Sequence, residues 1–174
     1  MIWYWPIIIL VLIFGLVVFR GSPYVPSHKS HIRQSFTDLY KLSSKDLLVD
    51  IGSGDGIILR EASKRGARAV GYEINPLLVL LSRILSRNDK RVSVRFTDFW
   101  LSHLPDDTTV VYVFSVSRDI NKLNIMIQNE ANRLGRKLYL ISYASKFGGK
   151  KVQKKVGAHY LYLFNPLQPA KAQV

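Results

Sequence analysis

The sequence predicts a doubly wound α/β domain on a mostly parallel sheet, with a C-terminal antiparallel hairpin and one transmembrane helix in front of it. Three observations carry that expectation. Short apolar runs alternate with helix-period segments through most of the chain, the pattern of crossover units. A turn with glycines on alternate positions follows the first such run. A charge-free apolar stretch of helical length stands ahead of all of them.

That stretch runs from Ile2 to Phe19. At about 1.5 Å per residue it crosses most of a hydrocarbon layer of about 30 Å. Trp3, Tyr4 and Trp5 stand at one end, where aromatic rings favour the headgroup level. Arg20, Lys29 and Arg33 follow the run, and no Lys or Arg precedes it. The positive-inside bias then places the domain in the cytoplasm, or in the matrix of an organelle. A cleaved signal peptide would need a basic leader and a small-x-small site, which Arg20-Gly-Ser-Pro-Tyr24 does not supply. The expected organisation is an anchor over 1–20, a linker over 21–27, a domain over 28–167 and a loose tail over 168–174.

Within the domain, apolar residues at Ile32, Phe36, Leu39 and Tyr40 suit an amphipathic helix from His28 to Leu42. Leu47 to Ile51 is a continuous apolar run broken by one acid, the mark of a buried parallel strand. A helix over Ile57 to Lys64 is stopped by Gly66. Ala69 to Tyr72 reads as a second strand, and Pro76 opens a helix to about Ser86 in its favoured first position. Val92 to Phe96 alternates as a third strand, and Thr108 to Phe114, rich in Val and Thr, is a fourth. A helix over Asp119 to Arg133 and a fifth strand over Lys137 to Tyr143 follow. Lys150 to Val156 and His159 to Phe164, split by Gly157, read as a hairpin.

The informative segment is Asp50-Ile-Gly52-Ser53-Gly54-Asp55-Gly56. Glycine at alternate positions lets the backbone turn sharply and a ligand approach with no Cβ in the way. Glu73 stands roughly 20 residues on, at the end of the next strand, where a ribose-binding carboxylate belongs. The spacing is G-x-G-x-G rather than the dinucleotide G-x-G-x-x-G, and a GK[ST] phosphate loop is absent. Asp50 and Asp55 around the loop suit a cationic ammonium and disfavour a diphosphate. The loop therefore points to S-adenosylmethionine. Asp98 and Phe99, after the third strand, suit an adenine amino group and ring face; the alternative is an Asp helix cap among core aromatics.

Charge and composition bound the rest. The chain carries 25 Lys and Arg against 12 Asp and Glu, a net charge of +13, which favours anionic partners. It has no cysteine, which excludes disulfides, thiolate metal sites and a catalytic thiol. His28, His31, His103 and His159 show no metal-ligand spacing and suit surface or cap roles.

Asp50 to Gly56, then Gly71-Tyr-Glu-Ile-Asn-Pro76, Leu78-Val79 and Ser82-Arg83, resemble the class I methyltransferases, whose fold is Rossmann-like. More narrowly, with the Pro23-Tyr-Val-Pro-Ser27 connector and the apolar leader, the chain resembles the membrane-anchored lysine methyltransferases of mitochondria and their prokaryotic relatives. Those proteins modify the adenine nucleotide translocase or the c subunit of ATP synthase. The resemblance implies that Asp50, Gly52, Ser53, Gly54, Asp55 and Gly56 shape the methionine pocket. It implies that Glu73, beside Ile74 and Asn75, holds the ribose and that Asp98 faces adenine. The segment Phe114-Ser-Val-Ser-Arg118 departs from the Gly-x-Pro element common in the family after the fourth strand, and that segment lines the acceptor side.

Candidates for an aromatic slot around an acceptor lysine are Tyr24, Trp100, Phe114 and Tyr143, each also suited to the core. The Asp/Asn-Pro-Pro-aromatic element of nucleobase amino methylation is absent, which disfavours nucleic acid as a substrate. Lys146, Lys150, Lys151, Lys154 and Lys155 form a basic cluster on the hairpin. It suits anionic lipid beside an anchor, phosphates, or protection of a sheet edge. The expected function is transfer of a methyl group to a lysine of a membrane-associated protein. A lipid, quinone or other small acceptor is one alternative. A non-catalytic, membrane-tethered module that binds S-adenosylmethionine is another.

Overall fold

The computed structural model describes residues 4, 5, 8, 29–114 and 119–167. The predicted anchor (apart from Tyr4, Trp5 and Ile8), the linker with Tyr24, His28, the segment 115–118 and the tail lie outside the described residues. Among the described residues no helix is long and apolar enough to cross a membrane.

The described strands form one seven-stranded sheet: β1 (Leu47–Ile51), β2 (Arg68–Glu73), β3 (Val92–Phe96), β4 (Val110–Phe114), β5 (Leu138–Tyr143), β6 (Lys154–Val156) and β7 (His159–Phe164). Their order is β3-β2-β1-β4-β5-β7-β6. The first five run parallel, and β7 runs antiparallel to β5 and β6, the expected doubly wound sheet with its terminal hairpin. All of β1 is buried, as its unbroken apolar run requires.

The α-helices described from residue 29 onward are α1 (Lys29–Gln34), α2 (Ile57–Ser63), α3 (Pro76–Leu85) and α4 (Ile120–Leu134). One face of the sheet packs Leu48, Val110, Tyr112 and Ile141 against Ile32 of α1, Leu59 of α2 and Val79 of α3. The other packs Val49, Val111 and Leu140 against Leu123, Ile127 and Ala131 of α4. The strand order reverses between β1 and β4, and ligands of such sheets bind beyond the carboxyl ends of the strands at that point.

Three expectations need correction. The helix over 28–42 is α-helical only to Gln34 and continues as a π-helical turn, Ser35–Leu39. The hydroxyls of Ser35 and Thr37 bond the carbonyls of Ile32, Arg33 and Gln34, and Tyr40 N–H donates to the Ser35 carbonyl five residues back. β4 begins at Val110, because Thr108 turns back on Pro105 through its amide and its hydroxyl. The first hairpin strand begins at Lys154 rather than Lys150. Lys150 is drawn inward, its Nζ 3.8 Å from the centre of the Phe164 ring and 3.1 Å from Gln128 Oε1.

Candidate functional site

The chain leaves β1 through Gly52, Gly54 and Gly56, whose φ angles are +74°, +54° and +77°. Only glycine takes that region repeatedly at little cost, which explains the alternate spacing. The amides of Gly52 and Ser53 both donate to the Tyr72 carbonyl, at 2.9 and 3.1 Å, folding the loop onto the end of β2. Close packing adds a second constraint at two positions. A Cβ on Gly71 would stand 2.4 Å from Ser53 Oγ, and one on Gly56 2.1 Å from Ser82 Oγ. A Cβ on Gly52 would meet nothing within 4 Å, so the loop there faces open space.

Glu73 is the lip of this cradle and is 7% exposed. Its Oε2 accepts from Gly54 N–H at 2.8 Å, and its Oε1 from the amides of Ile74 and Asn75 at 2.9 and 2.8 Å. Three of the roughly four acceptor directions of a carboxylate are thereby used, and one on Oε2 remains for a ligand hydroxyl. Asn75 serves the fold, its Oδ1 capping α3 through the amides of Leu77 and Leu78.

Asp50 lies at the foot of the loop, 3% exposed, in register with Tyr112 of β4. No described group donates to its carboxylate. Burial first, and then the negative charges of Glu73 and Asp55, hold its pKa well above the usual carboxylate range. A buried acid without a donor is costly unless a ligand supplies one. Asp55, the other loop acid, is already met: Arg60 lies 3.2 Å from its Oδ2 and Ile57 N–H bonds its Oδ1. Asp50 is therefore the acid left for a cation.

This arrangement rejects a diphosphate on geometry. The amides of Gly52, Ser53, Gly54, Gly56 and Ile57 all donate within the protein. A phosphate would find three carboxylates there and none of those five amides free. A ligand with an ammonium and a hydroxyl-bearing sugar fits: Asp50 for the cation, Glu73 Oε2 for a hydroxyl, and the space over Gly52 for what joins them.

Asp98 caps a short 3₁₀ turn, Phe99–Leu101, accepting from Trp100 N–H at 3.0 Å. The cap reading thus holds for one carboxylate oxygen, and the other has no bond among the described residues. Phe99 and Trp100 stack at 4.3 Å and pack against the α4 side of the sheet, with Lys122 Nζ 4.0 Å from the Trp100 ring.

That separates Trp100 from the other aromatic candidates. Phe114 and Tyr143 pair on the opposite face, 5.6 Å between ring centres. The same wall holds two residues missed from sequence. His159 lies 4.7 Å from the Tyr143 ring, and its Nε2 is 2.8 Å from the Tyr112 hydroxyl. The surface or cap role expected of His159 is wrong, because the alternation of β7 turns it inward to 2% exposure. Burial first, then the nearby His31, lowers its pKa to about 4, so the ring is neutral. The neutral ring shares one hydrogen bond through Nε2 with the Tyr112 hydroxyl. Phe36, set by the π turn, meets Tyr112 edge-on at 6.1 Å. His31 and His103 are exposed as expected, the latter 2.7 Å from Glu130.

A sequence profile described as the ANTKMT methyltransferase domain matches residues 50–154. The chain is 36% identical over 117 residues to the lysine N-methyltransferase of the ATP synthase c subunit from Xenopus laevis, a match that covers 66% of this chain and 50% of that protein. For the protein of the same name from Homo sapiens the identity is 36% over 111 residues, 62% of this chain and 46% of that one. The chain spans about half the length of these curated relatives. Among solved structures it is similar to the RNA methyltransferase from Salinibacter ruber in complex with S-adenosyl-L-homocysteine. That likeness has a TM-score of 0.72 at 26% identity and covers 84% of this chain and 97% of the other.

Proposed function

This chain belongs to the family of the ANTKMT methyltransferase domain, and from that membership we propose that it is a membrane-anchored methyltransferase acting on a lysine of a membrane-associated protein. Its cofactor is S-adenosylmethionine, which when bound supplies a methyl group activated on a sulfonium. The observation that carries the reading is the buried carboxylate of Asp50, to which no described group donates, under an open glycine loop with Glu73 at the lip. Asp50 would hold the ammonium, Glu73 the ribose, and the glycines the close approach of the methionine portion. Asp98 keeps one oxygen for the adenine amino group.

The protein's remaining task is to orient a neutral nucleophile and keep water out. Half-buried Phe114 and Tyr143 offer a wall against which a lysine side chain loses hydration, which favours its uncharged amine. Neutral His159, with Tyr112, fixes the back of that wall without adding a positive charge that would repel the incoming amine. The lysine reading draws on the names of the relatives, which are lysine N-methyltransferases of the ATP synthase c subunit. The anchor reading draws on the charge-free run from Ile2 to Phe19 and places the domain on the cytoplasmic or matrix side.

A second reading, methylation of RNA, has one specific support. The Salinibacter ruber protein is an RNA methyltransferase and is covered over 97% of its length. The net charge of +13 would suit that substrate. One experiment separates the readings. The full chain is incubated with methyl-labelled S-adenosylmethionine and either membrane or RNA fractions. The lysine reading expects label in the membrane fraction, sensitive to protease and recovered as methyllysine. Label sensitive to ribonuclease would replace it with the RNA reading, and label extracted into organic solvent would point to a lipid acceptor.

A further inference from the structure

Helix α3 is built inside out. The positions it turns toward the sheet are Val79, Ser82 and the capping Ser86, all buried. Its outward positions are Leu77, Leu80, Leu81, Ile84 and Leu85, between 42% and 57% exposed. Their spacing of three, four, seven and eight residues puts them on one stripe. Phe96, at the end of edge strand β3, lies on the same side of the sheet as Val94 and is 59% exposed, so it extends the patch beyond the helix. Contiguous apolar surface of this kind marks a contact with something other than water.

The surroundings say what. Between residues 77 and 96 stand Arg83, Arg87, Lys90 and Arg91, all exposed, against a single acid, Asp89, while Arg95 turns to the other face of the sheet, over the Tyr72 ring. Two of these cations are tied at their bases: Arg83 bonds the Val94 carbonyl and Arg91 the Ser63 hydroxyl. The anchors of a protein interface are enriched in Trp, Tyr and Arg and poor in Leu, unlike this leucine stripe. An anionic bilayer asks for both features at once: leucines and a phenylalanine at the acyl boundary, arginine and lysine at the headgroups.

We propose that the outer face of α3, with Phe96, is an interfacial contact surface that lies flat on an anionic lipid bilayer. It is distinct from the apolar run of residues 2–19 and does not depend on it. Because Asn75 and Pro76 open α3 directly after Glu73, the contact sets the lip of the cofactor cradle at the bilayer surface.

The absence of cysteine makes the test direct, since single nitroxide labels carry no background. The full chain bearing Leu81→Cys or Ile84→Cys is reconstituted with vesicles of phosphatidylglycerol and phosphatidylcholine. A control carries Asn129→Cys on the exposed side of α4. The first two labels are expected to become accessible to oxygen and shielded from a water-soluble nickel relaxant, while the third stays in water. The doubly substituted L81E/I84E chain, altered only at exposed positions, is expected to keep its thermal unfolding and its S-adenosylhomocysteine binding. A label on Leu80→Cys, 57% exposed on the same stripe, should lose about tenfold in bilayer shielding when L81E/I84E is added. Labels at 81 and 84 that stay in water on the vesicle-bound chain overturn the proposal, as does a chain that does not bind vesicles. So does shielding without lipid, whether by a second copy, seen as spin broadening that dilution removes, or by residues 1–28.

Discussion

Gly56 and Gly52 share a left-handed backbone and differ in what surrounds them. At Gly56 an added methyl meets Ser82 Oγ, so Gly56→Ala is expected to cost about 1–3 kcal/mol of stability. A lower denaturant midpoint would show it. At Gly52 the methyl enters open space, so Gly52→Ala should lose cofactor affinity in larger proportion than stability. Calorimetry with S-adenosylhomocysteine against thermal melting separates the two effects. Glu73→Gln keeps the shape and one acceptor but places an NH₂ against backbone amides. It is expected to weaken cofactor binding by more than about tenfold. Binding unchanged in that variant would remove Glu73 from the site. The glycine spacing and the distance to Glu73 were legible in the sequence because backbone constraints leave local marks. The fate of Asp55 was not, since a side chain on α2 decides it.

Elements show the same division. β3 and β7 run over the residues expected, because alternation is a local signal. The π turn after α1 escapes the apolar pattern, since hydroxyl-to-carbonyl bonds and the packing of Phe36 on Tyr112 create it. His159 escaped for a related reason: its partner is 47 residues away. Two buried groups then fix how these elements respond to acid. His159 titrates lower in the fold than in the unfolded chain, so the unfolded chain binds the proton first. Stability is expected to fall as pH drops from about 6.5 to about 4. His159→Gln should flatten that part of the profile. Glu61 of α2 is buried between Arg33 and Lys64, whose hydrogen bonds and charges outweigh its burial and lower its pKa to about 2. Its contribution is present above about pH 4.5 and is lost as pH falls toward about 2. Glu61→Gln should remove that second step, and urea midpoints across pH read both.

At the scale of the molecule the sheet is covered unequally. One face carries α1, α2 and α3, and α3 turns its leucines outward. In the sequence the proposed anchor shows in the first 20 residues, whereas the contact proposed for α3 does not, because its apolar stripe reads like any core-facing helix until the sheet is seen on its other side. Removal of residues 1–20 is therefore expected to abolish tight membrane association and leave a weaker one that rising salt releases, measured by vesicle flotation. The antiparallel return of β7 carries another consequence. The glycine loop, Glu73 and Asp98 are in hand once the first hundred residues exist, whereas the wall proposed for the acceptor waits for His159 on β7, the last of the described strands. During synthesis the residues of the cofactor cradle are therefore made before β7, and the nascent chain is expected to gain its cofactor loop before the proposed acceptor wall is complete.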